Sequence, residues 1–122
     1  MYTVKFTTAY KKSYKLIKKR GLDLSILDNI VDTLRQGKQL EAKYRDHELS
    51  GKFKGFRECH IKPDWLLVYL IENDILTLTL VDTGTHADIF NFSNKTEFLL
   101  TNKMQRKPSA LHFVSFNIFH TH

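Results

Sequence analysis

The stretch at residues 55–71, GFRECHIKPDWLLVYLI, decides how this chain folds. Its last six residues, 66–71, are continuously apolar and lie between a proline turn and a polar Glu-Asn-Asp segment, a pattern typical of a central strand covered on both faces. Because proline fixes φ and cannot donate to a sheet ladder, Pro63 predicts a tight connection between two strands. We therefore expect a buried strand with polar side chains clustered at one end.

The segments around this stretch predict the remaining elements. Residues 2–7 alternate between apolar and polar side chains, which is typical of a half-buried first strand. Helical periodicity follows at residues 8–20, and a second helix begins after Asp23 or Ser25 and ends at Gly37. The pattern indicates an α+β fold in which two N-terminal helices pack on a twisted, mainly antiparallel sheet of four to five strands.

Residues 91–122 differ in character from the rest, and we expect them to form a C-terminal extension to a domain at residues 1–90. The extension is rich in Asn, Ser and Thr, yet residues 111–119 have a strand-like composition that favours burial. Three alternatives stay open for that run: it adds to the sheet, pairs with another chain, or is loosely held.

Composition limits the classes of protein to which the chain can belong. At 122 residues it is large enough for one core, and its net charge of +6 favours phosphate-rich partners. A single cysteine excludes an intramolecular disulfide, and no apolar run approaches the roughly 18 residues of a membrane span. We expect a cytoplasmic protein with no membrane association.

Basic residues crowd the first helix, which carries six positive charges and no negative charge between residues 8 and 20. Lys11, Lys15 and Lys18 are the members of this group that we consider as candidates for RNA binding. A solvated helix face and a surface for phosphate or an acidic partner explain such a charge run equally well.

Three histidines, His47, His60 and His86, each lie at or beside a predicted strand end, and Asp64 is close to them in sequence. Imidazoles transfer protons to and from oxygen near neutral pH, so this set is suited to acid–base chemistry. Taken singly, each histidine is more often a hydrogen-bonded structural group. A zinc site made of Cys59, His60 and His86 is disfavoured, because adjacent strand residues point to opposite faces.

Cations and aromatic residues beside the histidines are candidates for RNA binding. Arg57 and Lys62 could stabilise the charge that develops on a phosphate. Trp65 and Phe90 could stack on bases, although a lone tryptophan beside a leucine-rich strand is more often a core residue.

Three blocks carry a specific resemblance: YRDHELSG at residues 44–51, GFRECHIKPDWLLVY at residues 55–69, and TGTHADIF at residues 83–90. In this order and spacing they resemble the YafQ branch of the RelE/ParE toxin superfamily. The resemblance implies a toxin of a type II toxin–antitoxin system, which enters the ribosomal A site, cleaves translated mRNA and is inhibited by a cognate antitoxin. It also implies the two-helix, antiparallel-sheet fold and chemistry without a metal or other cofactor.

Carried over by position, the resemblance implies that His47, His60, Asp64 and His86 are catalytic and that Trp65 and Phe90 flank them. We expect His86 to protonate the leaving oxygen, Asp64 and His60 to share the role of base, and His47 to orient the substrate. The gyrase-directed branch of the superfamily is disfavoured, because those relatives lack this histidine set.

One position departs from the family pattern. Relatives usually carry an arginine just before the Thr-Gly-Thr-His motif, where this chain has Asp82. An anion beside the scissile phosphate would repel it, so the alternative is a catalytically weakened module that still binds antitoxin or RNA. The sequence predicts that Asp82→Arg raises cleavage, unless another cation such as Lys62 or Arg57 already fills the role.

Overall fold

The computed structural model describes residues 1–91 and 113–115, which form one sheet with two helices. The helices are α1 (Thr8–Lys19) and α2 (Leu24–Arg35). The strands are β1 (Thr3–Thr7), β2 (His47–Glu48), β3 (Arg57–Lys62), β4 (Trp65–Glu72), β5 (Thr77–Gly84) and β6 (Phe113–Ser115). They lie in the order β2-β3-β4-β5-β1-β6.

The predicted α+β architecture is confirmed, with one parallel pairing in an otherwise antiparallel sheet. Strand β1 runs parallel to β5, which the two intervening helices and three strands make possible. Residues 3–84 supply five strands, and the extension contributes the sixth, which pairs antiparallel with β1. Residues 113–115 of the extension therefore add to the sheet, which is one of the three alternatives for this segment.

Short polar side chains fix where each helix begins. The Thr7 hydroxyl accepts a hydrogen bond from the backbone N–H of Tyr10 at 3.0 Å, so the N-cap of α1 is Thr7. Asp23 caps α2 by accepting the amide proton of Ser25 at 3.0 Å. Gly21 follows α1 with φ +79°, a left-handed conformation that glycine adopts without strain.

Two apolar clusters cover the two faces of β4, as the continuous apolar run predicts. Leu67 and Tyr69 pack with buried residues of both helices, among them Ile17 and Leu27. On the other face, side chains of five residues form a second cluster: Phe56, Leu66, Val68, Val81 and Ile89. No helix among the described residues is long and apolar enough to cross a membrane.

Deleting part of the buried β4 face should destabilise the whole fold. Leu67 is fully buried, so Leu67→Ala leaves a cavity and should lower the free energy of unfolding by about 2–5 kcal/mol. Leu16→Ala is the matched control, since Leu16 is 44% exposed and its truncation should cost less than about 1 kcal/mol. Urea denaturation compares the two variants. Equal losses would contradict the placement of β4 at the centre of the core.

Candidate active site

The three histidines that the sequence analysis selects have their rings in a row. His47 comes from β2, His60 from β3, and His86 directly precedes the short π-helix Ala87–Asn91 that follows β5. The ring centroids of His47 and His60 are 6.1 Å apart, and those of His60 and His86 are 5.8 Å apart. The outer two are half exposed, whereas the side chain of His60 is 14% exposed. The row is therefore open to solvent at both ends and anchored in the sheet at its centre.

Glu58 belongs to this group, although the sequence analysis did not select it. Its carboxylate is buried, and Oε1 lies 3.6 Å from Nε2 of His47 and 3.5 Å from Nε2 of His60. The cross-strand pairing of His47 with Glu58 and the two-residue spacing between Glu58 and His60 put all three on one face. The sequence could have indicated Glu58, because an acidic residue two positions before a histidine in the same strand lies on the same face of the sheet as that histidine.

The same three residues could hold a metal ion. One donor atom each from His47, Glu58 and His60 lie within 4.8 Å of one another, and imidazole with carboxylate suits several transition metals. Cys59 lies between Glu58 and His60 but is fully buried in the cluster beneath the helices, and burial raises the pKa of its thiol. Cys59 is thus a core residue, as predicted, and does not share the face of His60.

Asp64 holds His86 in place. Asp64 lies in the turn between β3 and β4. Its carboxylate is 3.0 Å from Nδ1 of His86 and accepts a hydrogen bond from the His86 backbone N–H at 3.2 Å. These hydrogen bonds with His86 lower the pKa of Asp64. With Nδ1 engaged by Asp64, Nε2 is the nitrogen of His86 that remains for proton transfer.

A reciprocal cap fixes the turn that carries His86. The Asp88 carboxylate accepts a hydrogen bond from the Thr85 backbone N–H, and the Thr85 hydroxyl accepts one from the Asp88 backbone N–H. The N···O distance is 3.0 Å in both. Arg20, at the end of α1, adds an ion pair to Asp88 at 2.7 Å. The helix layer is thereby connected to the loop that positions His86.

On the other side of the row, the segment that leads into β2 positions His47. The backbone carbonyl of Arg45 lies 2.7 Å from Nδ1 of His47. The next residue, Asp46, is anchored by an ion pair with Arg57 at 3.2 Å and by a short hydrogen bond from the Tyr69 hydroxyl. Arg57, a predicted RNA contact, is therefore engaged with Asp46.

The two predicted flanking aromatics are packed against the protein. Trp65 is 4% exposed, and its indole N–H donates to the Thr83 hydroxyl at 3.0 Å. This placement favours the core alternative over base stacking. Phe90 is half buried and packs 6.1 Å from Phe53, centroid to centroid, beside the second core cluster.

The predicted cations fall into two groups. Lys11, Lys15 and Lys18 are exposed on α1, on the helix side of the sheet, whereas strand alternation directs Glu58 and His60 to the opposite side. The structure does not bring these three lysines to the histidines. Lys62 is exposed and lines a cavity that His60 also lines.

Asp82 faces α1. The residue is 4% exposed, and its Oδ1 accepts hydrogen bonds from the Ser13 hydroxyl at 2.6 Å and from the Thr83 amide at 2.8 Å. Asp82 therefore lies on the helix side of the sheet, and the expectation that it weakens catalysis stays a prediction.

Breaking the ion pair between Arg20 and Asp88 should cost stability in a pH-dependent way. The hydrogen bond from Arg20 lowers the pKa of Asp88, so the pair stabilises the fold above the ordinary carboxyl pKa and loses this effect as the pH falls through the lowered value. We expect Arg20→Ala to lower the free energy of unfolding by up to about 1 kcal/mol near neutral pH, given the exposure of both partners.

Urea denaturation at neutral pH and in strong acid measures this difference. Lys19→Ala, which removes an equal charge from the same helix end, is the control and should show a smaller loss. A deficit in Arg20→Ala that stays constant in strong acid would contradict the assignment.

Comparison with known proteins places the chain in a family. Residues 2–91 match the family described as bacterial toxin of type II toxin-antitoxin system, YafQ. The chain is 36% identical over 88 residues to the mRNA interferase toxin YafQ of Escherichia coli K12, across 71% of this chain and 94% of that protein.

Solved structures agree with this match. A metal-bound toxin from Helicobacter pylori is 43% identical with a TM-score of 0.70, across 74% of this chain and all of that one. The toxin in the E. coli DinJ–YafQ complex is 33% identical with a TM-score of 0.68, across 74% of this chain and 99% of that one. The chain therefore belongs to the YafQ family of bacterial toxins of type II toxin–antitoxin systems.

Proposed function

We propose that this chain is an endoribonuclease toxin that cleaves mRNA in the ribosomal A site in the cytoplasm and is inhibited by a cognate antitoxin. The observation that carries the proposal is the row of three imidazoles and two carboxylates. Glu58 lies between His47 and His60, and Asp64 contacts His86. The E. coli relative in complex with DinJ supports the antitoxin partner.

The reaction is an in-line transfer within the RNA backbone. The base takes the proton of a ribose 2′-OH, the resulting oxygen attacks the adjacent phosphorus, and the bond from phosphorus to the 5′ oxygen breaks. The acid gives its proton to that leaving oxygen. The products are a 2′,3′-cyclic phosphate and a 5′-OH, with no net consumption of water or of a cofactor.

The geometry supports His86 as the acid. Its Nδ1 is engaged by Asp64, which stays ionised because the hydrogen bonds with His86 lower its pKa. With Nδ1 held in this way, Nε2 is the nitrogen of His86 from which a proton can pass to the leaving oxygen. Asp64 then acts as a positioning residue, which revises the expectation that it shares the role of base.

Glu58 and His60 form the base side. The buried carboxylate of Glu58 contacts both neighbouring imidazoles, so a proton taken from the 2′-OH can be shared between a carboxylate and a ring 3.5 Å away. His47 completes the group, and its protonated form would offset charge on the phosphate. Because His47, Glu58 and His60 are also the candidate metal ligands, an ion bound there would occupy the base and should inhibit cleavage.

Replacing the acid tests the proposal most directly. We expect His86→Ala to reduce ribosome-dependent mRNA cleavage by about 10²–10⁴-fold, the usual contribution of a general acid or base. Glu58→Gln, which keeps the size of the side chain and removes its basicity, should cause a loss in the same range. Primer extension on a translated message measures the rate.

Asp64→Asn is the matched control and should lose less activity. The side-chain oxygen of asparagine can still accept the hydrogen bond from the His86 backbone N–H. Thermal unfolding verifies that each variant is folded, and a chelator selective for transition metals should leave the rate unchanged or raise it. A retained rate in folded His86→Ala would remove His86 from the mechanism.

A second candidate function is a module of the same family that binds antitoxin or RNA with weakened catalysis. It is favoured by Asp82, which stands where the resemblance predicts arginine and whose carboxylate is held by Ser13 on the helix side. Within the described part of the chain, the three histidines contact Glu58, Asp64 and the Arg45 carbonyl.

Two substitutions at Asp82 separate these candidates. Asp82→Asn keeps the Oδ1 acceptor for Ser13 and Thr83 while it removes the negative charge, and Asp82→Arg adds a cation. If a charge stabiliser is missing, Asp82→Arg should exceed Asp82→Asn in cleavage rate by about 10²-fold. Stability is measured in parallel, because the arginine also loses the buried hydrogen bonds. Equal rates in two folded variants would show that another cation already fills the role.

A further inference from the structure

A cavity of about 330 Å³ adjoins the histidine row and has no role in the chemistry described above. It lies between the start of α2, the 3-10 turn Ala42–Tyr44 and the connection from β3 to β4. Its volume is at the lower end of the range for small-molecule sites. His60 is among the lining residues, and so is Arg45, whose carbonyl contacts His47, so the cavity adjoins the histidine row at the edge of the sheet.

The polar part of the cavity lining is strongly cationic. Lys43, Arg45 and Lys62 contribute to it, and no carboxylate is among the lining residues of the described chain. Two carboxylates beside the lining interact with these cations: Glu41 lies 3.7 Å from Lys43 with both side chains exposed, and the pKa of Asp23, which hydrogen bonds with Ser25 mainly lower, is lowered further by Lys62. Three cations around one concave surface favour a ligand with a phosphate group.

The remaining lining is suited to a flat apolar group. Ile26, Ile61 and Pro63 provide aliphatic surface, and the Tyr44 ring, with the Lys43 ammonium 5.1 Å from its centroid, adds an aromatic one. A ligand that combines a planar ring with a phosphate matches this division of the lining, and a nucleotide is such a ligand.

We propose that this cavity is a nucleotide subsite, which binds the nucleotide adjoining the scissile phosphate with its base on Ile26, Ile61 and Pro63 and a phosphate at Arg45 and Lys62. The assignment of the bound residue as part of mRNA rests on the proposed function.

The cavity and the histidine row share a backbone segment. The side chain of Arg45 lines the cavity, while its carbonyl lies 2.7 Å from Nδ1 of His47. Arg45 has φ +47°, a left-handed conformation that is uncommon for a residue with a side chain, and the anchored Asp46 follows it. A nucleotide held by Arg45 therefore contacts the segment that positions His47.

The test is a titration of the isotope-labelled full chain with each nucleoside 5′-monophosphate, followed by amide chemical shifts. We expect the largest shifts at Lys43, Tyr44, Arg45, Ile61 and Lys62. Lys62→Ala and Arg45→Ala should each weaken binding roughly tenfold, the effect of losing one charged hydrogen bond. Lys38→Ala, which removes an exposed lysine elsewhere, is the matched control and should bind as the unaltered chain does.

Inorganic phosphate and the free nucleosides complete the experiment, and each should bind more weakly than the nucleotide. Phosphate that binds as tightly as the nucleotide, shifts confined to the lysines of α1, or equal losses in Lys38→Ala and Lys62→Ala would overturn the subsite. The titration uses neither ribosomes nor cleavage. Nucleotide binding here without mRNA cleavage would overturn the proposed function alone, whereas cleavage without binding here would overturn the subsite alone.

Discussion

The buried carboxylate of Glu58 is the constraint on which the candidate active site depends. A carboxylate that is 5% exposed needs polar partners that compensate for lost hydration, and the His47 and His60 imidazoles lie within 3.6 Å of it. Strand pairing makes this arrangement obligatory, because the register of β2 against β3 sets His47 opposite Glu58. The two-residue strand β2 thus places His47 beside the carboxylate that the proposed mechanism uses as part of its base.

Much of the fold could be predicted because local patterns determine it. The apolar run at residues 66–71 is central in the sheet, and the two helices begin and end where short polar side chains and glycines allow. The parallel pairing of β1 with β5 could not be predicted from the sequence. The two strands are about 74 residues apart, and their alternation of apolar and polar residues is equally compatible with antiparallel pairing.

Sequence analysis selects candidate site residues whose chemistry is distinctive, and it misses those whose significance depends on packing. Histidines at strand ends stand out in a sequence, whereas Glu58 is one acid among 13 acidic residues and acquires its significance from two neighbours in space. Trp65 and Arg57 show the converse. Each has a side chain suited to RNA, but Thr83 and Asp46 engage them through contacts 18 and 11 residues away in sequence.

Electrostatic balance connects the site to the surfaces around it. The histidine row contains two carboxylates, Glu58 and Asp64, and negative charge there would oppose the approach of a phosphodiester. The lysines of α1 lie on the helix side of the sheet, and Asp82 is held there by Ser13, so neither changes this balance locally. The cations that line the cavity beside His60 are positioned to supply attraction for a phosphate. In the proposed function, this cationic cavity is what would offset the two carboxylates when the row meets an anionic substrate.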